Sequence, residues 1–218
     1  MDNIEIIEKI KQQKLLPLFF NADKETCIRI VQTLYDAGIT VIEFTNRGEE
    51  ALENFKAIAA AKASRFPKLL LAAGTIKTAE QAKQFINAGA DFLISPFFNK
   101  DVCEIATTQK KLWIPGCMTP AEIHIAESAG CIMIKLFPGN ILGQGFLSAI
   151  KELFPSLLFM PTGGVDLDKE NIAGWFKAGV CAGGMGSKLI SKQLLEQKDY
   201  DKIVELTKQA MEIVKSVK

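Results

Sequence analysis

One lysine lies in a segment where a charged side chain is out of place. Lys135 falls within the apolar run 131–137, which follows Gly130 and ends at Pro138-Gly139. Such a run is typical of a buried strand, where lysine is rare unless it has a function. Removal from water disfavours the charged ammonium, and the free amine can attack a carbonyl carbon to form a Schiff base. The alternative is a lysine at a strand end whose ammonium reaches solvent.

A glutamate occupies a similar position in another predicted strand. Glu43 follows Thr40-Val41-Ile42, and strand alternation places Glu43 and Thr45 on the face of Val41. A buried carboxyl group can move protons near neutral pH. The alternative is a structural ion pair with Lys135, which would add little net stability because desolvation offsets the attraction. Two isolated charges in one core are therefore better explained by chemistry.

The chain around these residues alternates between predicted strands and helices. An amphipathic helix carrying Ile4, Ile7 and Ile10 comes first. The predicted strands are 15–20, 40–45, 68–75, 92–96, 112–117, 131–138, 158–162 and 180–184. Ala-Gly precedes a strand four times, with glycines that fit left-handed helix caps at Gly38, Gly89, Gly130 and Gly179. A further helix is expected around Phe146 to Phe154.

This alternation predicts parallel strands joined by right-handed crossovers, and the apolar strands predict burial on both faces of the sheet. Eight such units favour an α/β fold class, a single (β/α)8 (TIM) barrel with an extra N-terminal helix. An open doubly wound sheet is the alternative. Residues 1–218 contain no linker or break in composition, so one domain is expected.

The active site of such a barrel lies at the carboxyl ends of the strands, where this sequence collects polar residues. Arg47 lies just beyond Glu43, and its guanidinium could hold a substrate carboxylate through two hydrogen bonds. An exposed loop arginine is the alternative. The glycine-rich segments Thr162-Gly163-Gly164 and 183–187 follow the seventh and eighth strands. Loops at those positions, with a following short helix, commonly bind phosphate, although two tight turns would have the same composition.

Composition narrows the class of protein. A net charge of +1 gives no reason to expect nucleic acid or an anionic membrane as a partner. The N-terminus shows no signal peptide, and no apolar run is long enough to span a membrane. Five scattered cysteines without a CxxC motif predict reduced, mostly buried thiols in a cytoplasmic protein, with a disulfide or thiol nucleophile as the alternative. His124 is the only histidine, whereas catalytic zinc normally needs several.

Six short segments, taken in chain order, resemble those of one enzyme family. They are Ile42-Glu43-Phe44-Thr45-Asn46-Arg47, Ala73-Gly74-Thr75, Ile94-Ser95-Pro96, Ile114-Pro115-Gly116, Ile134-Lys135-Leu136-Phe137-Pro138 and Pro161-Thr162-Gly163-Gly164. Through them, and over nearly its whole length, the chain resembles the class I 2-keto-3-deoxy-6-phosphogluconate (KDPG) and 4-hydroxy-2-oxoglutarate (KHG) aldolases.

The resemblance implies a barrel, usually a homotrimer, that cleaves KDPG to pyruvate and glyceraldehyde 3-phosphate in the Entner–Doudoroff pathway, and KHG to pyruvate and glyoxylate. It implies that Lys135 is the Schiff-base lysine, that Glu43 is the general acid and base, and that no metal or organic cofactor is required. The partners are then a small 2-keto acid and a phosphorylated aldehyde, without nucleic acid or membrane. The implied substrate-binding residues are Arg47, Gly74 and Thr75 for the pyruvate carboxylate, Pro96 and Phe137 for the reacting carbons, and Thr162, Gly163, Gly164, Gly184 and Ser187 for the far end.

The sequence departs from the family pattern in two places. Met185 follows the glycine pair of the eighth strand, where some relatives have serine, and Ser187 comes two residues later. The segment 139–143 falls in a region that also varies among enzymes acting on the galactonate epimer. Two alternatives to a KDPG and KHG aldolase are therefore kept. They are a 2-keto-3-deoxy-6-phosphogalactonate aldolase and a non-aldolase phosphate-binding barrel enzyme.

Overall fold

A computed structural model describes residues 2–217, in which helices and parallel strands alternate. The strands are β1 (Leu15–Phe19), β2 (Val41–Thr45), β3 (Leu70–Gly74), β4 (Phe92–Ile94), β5 (Trp113–Ile114), β6 (Gly116–Cys117), β7 (Met133–Leu136), β8 (Leu158–Pro161) and β9 (Gly183–Met185). The helices are α1 (Asn3–Gln13), α2 (Lys24–Asp36), α3 (Ala51–Arg65), α4 (Ala79–Asn87), α5 (Lys100–Thr108), α6 (Pro120–Ser128), α7 (Gly139–Ile150), α8 (Lys169–Ala178), α9 (Lys192–Glu196) and α10 (Tyr200–Ser216).

The strands form two parallel sheets, so the predicted α/β class with parallel pairing is confirmed. A curled six-stranded sheet has the order β5-β4-β3-β2-β1-β9, and a three-stranded sheet has the order β6-β7-β8. An isolated parallel bridge between Thr162 and Gly184 connects the end of β8 to β9. Only Pro115 separates β5 from β6. Proline has no backbone N–H to donate, which accounts for an interruption in the predicted strand 112–117.

Apolar side chains on the two faces of the strands form two separate cores, as expected for strands buried on both sides. The inner core holds residues such as Leu16, Val41 and Met133, together with Ile6 and Ile10 of α1. The outer core lies between the strands and the surrounding helices and includes Phe44. The extra N-terminal helix therefore packs Ile6, Ile7 and Ile10 against the inner face of the sheet. The prediction that Ile4 belongs to this stripe is wrong, because Ile4 is 68% exposed.

The side chain of Gln13 fixes α1 on the first two strands. Its amide nitrogen donates to the carbonyl oxygens of Leu15 (2.5 Å) and Val41 (2.8 Å). Its amide oxygen accepts from the backbone N–H groups of Thr40 (2.7 Å) and Val41 (2.9 Å). A buried polar side chain with all of these partners is stabilising rather than costly.

Most of the predicted helix boundaries are confirmed. Gly38, Gly89, Gly130 and Gly179 all have φ between 85° and 104°, the left-handed conformation predicted for the Ala-Gly helix ends. Thr119 and Glu122 form a capping box at the start of α6. No helix within residues 2–217 is long and apolar enough to cross a bilayer.

The predicted starts of one helix and of the last strand are wrong. The helix expected around 146–154 begins at Gly139 and bends at Gly143, where φ is 71°. Its glycines have low helix propensity, so the first half of this helix resembles a loop in the sequence. The last strand begins at Gly183 rather than at Val180.

Candidate active site

A ring of side chains lies just above the inner core, at the carboxyl ends of the strands. Eight inner-core residues are each followed, two positions later, by a residue of this ring. Strand alternation turns both members of each pair toward the interior. We call the second members the upper ring, and they are Leu18, Glu43, Gly74, Pro96, Gly116, Lys135, Thr162 and Gly184.

Lys135 and Glu43 meet within the upper ring. The Nζ atom of Lys135 lies 3.5 Å from Oε1 of Glu43, and the two side chains are 6% and 0% exposed. Neither carboxylate oxygen of Glu43 has a hydrogen-bond partner within the described chain. A buried carboxylate without hydrogen bonds is costly, so its retention beside an amine indicates a site built for chemistry.

Gly74 makes room for this carboxylate. A Cβ atom on Gly74 would overlap the carboxylate of Glu43. The register pairs Glu43 with Ala72, so Gly74 is the next inward position on the neighbouring strand. Glycine is therefore required here by close approach and not by an unusual backbone conformation.

A cavity of about 400 Å³ opens at this end of the strands, and Leu18 and Thr162 of the upper ring line it. Its walls include five of the predicted site residues, namely Arg47, Phe137, Thr162, Gly163 and Ser187. The ring of Phe137 has its centroid 5.2 Å from Nζ of Lys135, which places an aromatic face beside the amine. The hydroxyl oxygen of Thr162 is buried and has no hydrogen-bond partner in residues 2–217, so it is available to a ligand.

The apolar part of the cavity wall could not be predicted from the sequence. Leu18 and Phe20, which lie in and just after β1, face the cavity together with Ile190 and Leu195. These residues have the composition of ordinary core residues, and only their place at the carboxyl end of β1 could have identified them.

A second cavity of about 500 Å³ lies on the other side of Arg47 and is also lined by Asn46, Thr75 and Lys77. Thr75 has φ of 59°, a conformation that is strained for a β-branched residue. Its neighbours hold it there, because the carbonyl oxygen of Gly74 accepts from Asn46 (2.8 Å) and the N–H of Ile76 donates to Ile94 (3.1 Å). Such strain tends to occur at functional positions.

The remaining predicted site residues lie at the edges of these cavities. The carbonyl group of Pro96 lies against Gly116, and Pro96 lines neither cavity. Gly184 lies beside Thr162, since a Cβ atom on it would come within 2.6 Å of the Thr162 hydroxyl. Met185 is buried in the outer core, whereas Ser187 reaches the cavity. The expected short helix after the last strand is only a turn, in which Leu189 and Ile190 donate to Gly186.

Other chemically active side chains are poorly placed for catalysis. Burial raises the pKa of the Cys27, Cys117 and Cys131 thiols to about 12, which disfavours the reactive thiolate. His124 is exposed on α6. No cluster of three His, Cys, Asp or Glu side chains suited to a metal ion occurs among residues 2–217.

Comparison with known proteins identifies the family. The family model described as KDPG and KHG aldolase matches residues 6–206. The chain belongs to this family. A 2-dehydro-3-deoxy-phosphogluconate aldolase from Haemophilus influenzae is 31% identical over 214 residues, which cover 97% of each chain. A KHG/KDPG aldolase from Escherichia coli K12 is 31% identical over 91% of each chain. Enzymes with these names are lyases, as predicted.

A solved aldolase structure has the same fold. The KDPG aldolase from Legionella pneumophila superimposes with a TM-score of 0.85 at 25% identity, over 94% of this chain and 97% of that one. In that crystal structure, pyruvate is captured at low pH as a covalent carbinolamine intermediate. The KDPG and KHG aldolase family therefore includes a member that forms the covalent intermediate predicted for Lys135.

Proposed function

We propose that this protein is a class I aldolase that cleaves KDPG to pyruvate and glyceraldehyde 3-phosphate, and also KHG to pyruvate and glyoxylate. The observation that carries this proposal is the buried Lys135 amine, 3.5 Å from a Glu43 carboxylate that has no hydrogen-bond partner in the described chain. A phosphate-binding barrel of another activity would not need this pair. The relatives named KDPG and KHG/KDPG aldolase support both substrates.

The reaction begins at Lys135. Its amine attacks the C2 ketone of the 2-keto acid, and the carbinolamine loses water to give a protonated imine. The imine draws electrons from the C3–C4 bond. The Lys135 side chain is 6% exposed, so the amine reacts in a site that holds little bulk water.

Glu43 then moves the proton. Its carboxylate takes the proton from the C4 hydroxyl, the C3–C4 bond breaks, and the aldehyde leaves while the bonding electrons form an enamine on the lysine. Glu43 returns the proton to C3. Hydrolysis of the imine releases pyruvate and restores the Lys135 amine. The lysine supplies the electrophile, so the scheme uses no metal or organic cofactor.

We propose positions for the two ends of the substrate on the basis of the two cavities. Arg47 borders both, and we place the pyruvate carboxylate between Arg47, Gly74 and Thr75. Pro96 and Phe137 flank the reacting carbons. The phosphate end lies toward Thr162 and Gly163, with Gly164, Gly184 and Ser187 completing that part of the site.

We also propose that the two sheets close into a complete (β/α)8 barrel that forms one domain over residues 1–218. The Thr162–Gly184 bridge and the single-residue gap at Pro115 support closure. A homotrimer is supported by exposed apolar side chains beyond β4, β6 and β7, namely Phe97, Met118, Ile125 and Ile141. Sedimentation velocity should give about three times the chain mass of 23.9 kDa, and a monomer would contradict the trimer. The cytoplasmic location stays a prediction.

Turnover of KDPG tests the function directly. Pyruvate release is measured by coupling the reaction to a pyruvate-reducing dehydrogenase. The wild-type protein should release pyruvate from KDPG, and Lys135→Met should release none. Lys11→Met is the matched control, since Lys11 pairs with Glu8 on the surface. Substantial release by Lys135→Met would exclude the Schiff-base mechanism.

A further inference from the structure

Side chains of α8 hold the loop that follows β8. The carbonyl oxygen of Gly164 accepts hydrogen bonds from Nδ2 of Asn171 (3.1 Å) and from Nε1 of Trp175 (3.0 Å). Asn171 and Trp175 are four residues apart, so they lie on the same face of the helix. Two donors from one rigid element therefore fix the direction of a single carbonyl group.

Asn171 is itself held in place. Its Oδ1 atom accepts from the backbone N–H of Asp166 (3.0 Å), and its carbonyl oxygen accepts from Nε2 of Gln144 (3.0 Å). Trp175 is 2% exposed, so its indole ring cannot turn away from the loop. The loop from Thr162 to Val165 is thus braced by α7 and α8.

This bracing determines where the loop's N–H groups point. In a planar trans peptide the N–H points opposite to the preceding C=O. The Gly164 carbonyl points toward α8, so the N–H of Val165 points away from α8. The Thr162 carbonyl accepts from the N–H of Gly139 (2.8 Å), so the N–H of Gly163 points away from α7.

Two N–H groups of this loop are free to bind a ligand. The N–H of Gly163 points toward Gly184 in the isolated bridge between Thr162 and Gly184, whereas within residues 2–217 the N–H groups of Gly164 and Val165 donate to no protein acceptor. Gly163 and Gly164 have φ of 87° and 74°, and Gly163 lines the cavity. Successive N–H groups in such a conformation form a concave site for an anion. The unpartnered hydroxyl of Thr162 lies at the same place.

We infer that Asn171 and Trp175 are positioning residues that hold the Thr162–Val165 loop in its anion-binding shape, and that they determine the preference for a phosphorylated substrate. The inference rests on the proposed function. KHG has no phosphate, and its far end is a carboxylate on C5 that lies closer to the reacting carbons than the C6 phosphate of KDPG. We therefore expect the loop to contact the phosphate of KDPG and not KHG. Loss of the bracing should therefore affect one substrate and not the other.

Trp175→Phe removes the indole N–H and keeps an aromatic ring. We expect KM for KDPG to rise about 3- to 10-fold, the loss typical of one hydrogen bond, while KM for KHG and kcat for both substrates stay within about twofold. The matched control is Trp113→Phe, because the chain's other tryptophan also donates a buried indole hydrogen bond, to Ser95 Oγ (2.8 Å). That control should leave the ratio of the two KM values unchanged.

Asn171→Ala should repeat the selective effect, which guards against poor folding of one variant. Equal changes for both substrates, or no change in either variant, would overturn the inference. If the wild-type protein cleaves neither substrate, the proposed function fails, and the inference about the loop is then tested by calorimetric binding of inorganic phosphate. Weaker phosphate binding in Trp175→Phe than in wild type would support the inference, and unchanged binding would overturn it.

Discussion

Glu43 is distinguished by the hydrogen bonds that it does not make. Its carboxylate oxygens are buried without a hydrogen-bond partner in the described part of the chain, and the Lys135 amine lies 3.5 Å from one of them. A structural carboxylate would normally accept several hydrogen bonds. The arrangement leaves the oxygens available to take and return a substrate proton.

Glu43→Gln should separate the two catalytic roles. The variant keeps the side-chain shape but cannot accept the proton, so it should form the imine with pyruvate yet lose about 10²–10⁴-fold in kcat. Steady-state kinetics with KDPG measure this loss. Glu8→Gln, which removes a surface carboxylate paired with a lysine, is the control. Near-normal kcat in Glu43→Gln would remove Glu43 from the mechanism.

Gly74→Ala should reduce activity by displacing that carboxylate. The added methyl group overlaps Glu43 unless the side chain moves, and a displacement of this size can cost about 10²-fold in kcat. The control is Gly145→Ala, since a Cβ atom there meets no heavy atom within 4 Å. Full activity in Gly74→Ala, with the fold verified by circular dichroism, would show that the contact has no catalytic importance.

Site residues that break the local sequence pattern could be predicted from the sequence. Site residues that fit the local pattern could not be predicted. Lys135 and Glu43 stand out because they are charged within apolar strands. Asn171 and Trp175 have the spacing of ordinary helix-packing residues, and their shared acceptor depends on the path of a loop. The positive φ of Thr75 is equally invisible, because threonine gives no hint of a left-handed conformation.

At the scale of elements, capping decides where helices begin. The Thr119 hydroxyl accepts from the N–H of Glu122, and the Glu122 carboxylate accepts from the N–H groups of Met118 and Thr119 (both 2.8 Å). Partial burial alone would raise the pKa of Glu122, but these hydrogen bonds outweigh it and hold the pKa below the ordinary value of 4.5. The cap that begins α6 is therefore an ionised one.

Glu122→Gln should destabilise the protein in a pH-dependent way. A lowered pKa in the folded state means that the carboxylate contributes full stability above pH 4.5 and loses it as the pH falls through the folded-state pKa. The difference in urea midpoint between wild type and variant should thus be present at pH 7 and shrink at pH 3. Glu212→Gln, on an exposed part of α10, is the control. A difference that is independent of pH would contradict the ionised cap.

Element types were easier to predict than element lengths. The strands were recognised by their apolar runs, and four helix ends by their Ala-Gly pairs. The early part of α7 was missed because tertiary contacts override the low propensity of its glycines. Gly139 must approach the loop after β8 closely, since a Cβ atom on it would overlap the carbonyl of Gly163.

At the scale of the whole molecule, the core and the proposed catalytic residues occupy different layers. The inner core and α1 lie below the upper ring, and the proposed catalytic side chains of Lys135 and Glu43 belong to the ring itself. Alternation along the strands produces this separation without any special sequence. Substitutions in the lower layer should change stability and leave the chemistry intact.

Ile10→Ala tests this separation. Ile10 is 2% exposed within the inner core, so its truncation should lower the free energy of unfolding by about 2–5 kcal/mol. Ile4 lies on the same helix but is 68% exposed, so Ile4→Ala is the control. This control should change the free energy of unfolding by less than about 0.5 kcal/mol. Urea unfolding measures both. A large fall in kcat for folded Ile10→Ala would show that the two layers are coupled.

The covalent intermediate proposed for Lys135 can be tested directly. The protein is incubated with pyruvate and borohydride, and its intact mass and peptide map are recorded, with Lys135→Met treated in the same way. We predict one reduced pyruvate unit per chain, located on Lys135 and missing from the variant. A folded, active wild-type protein that gains no adduct, or an adduct on another lysine, would contradict the Schiff-base mechanism.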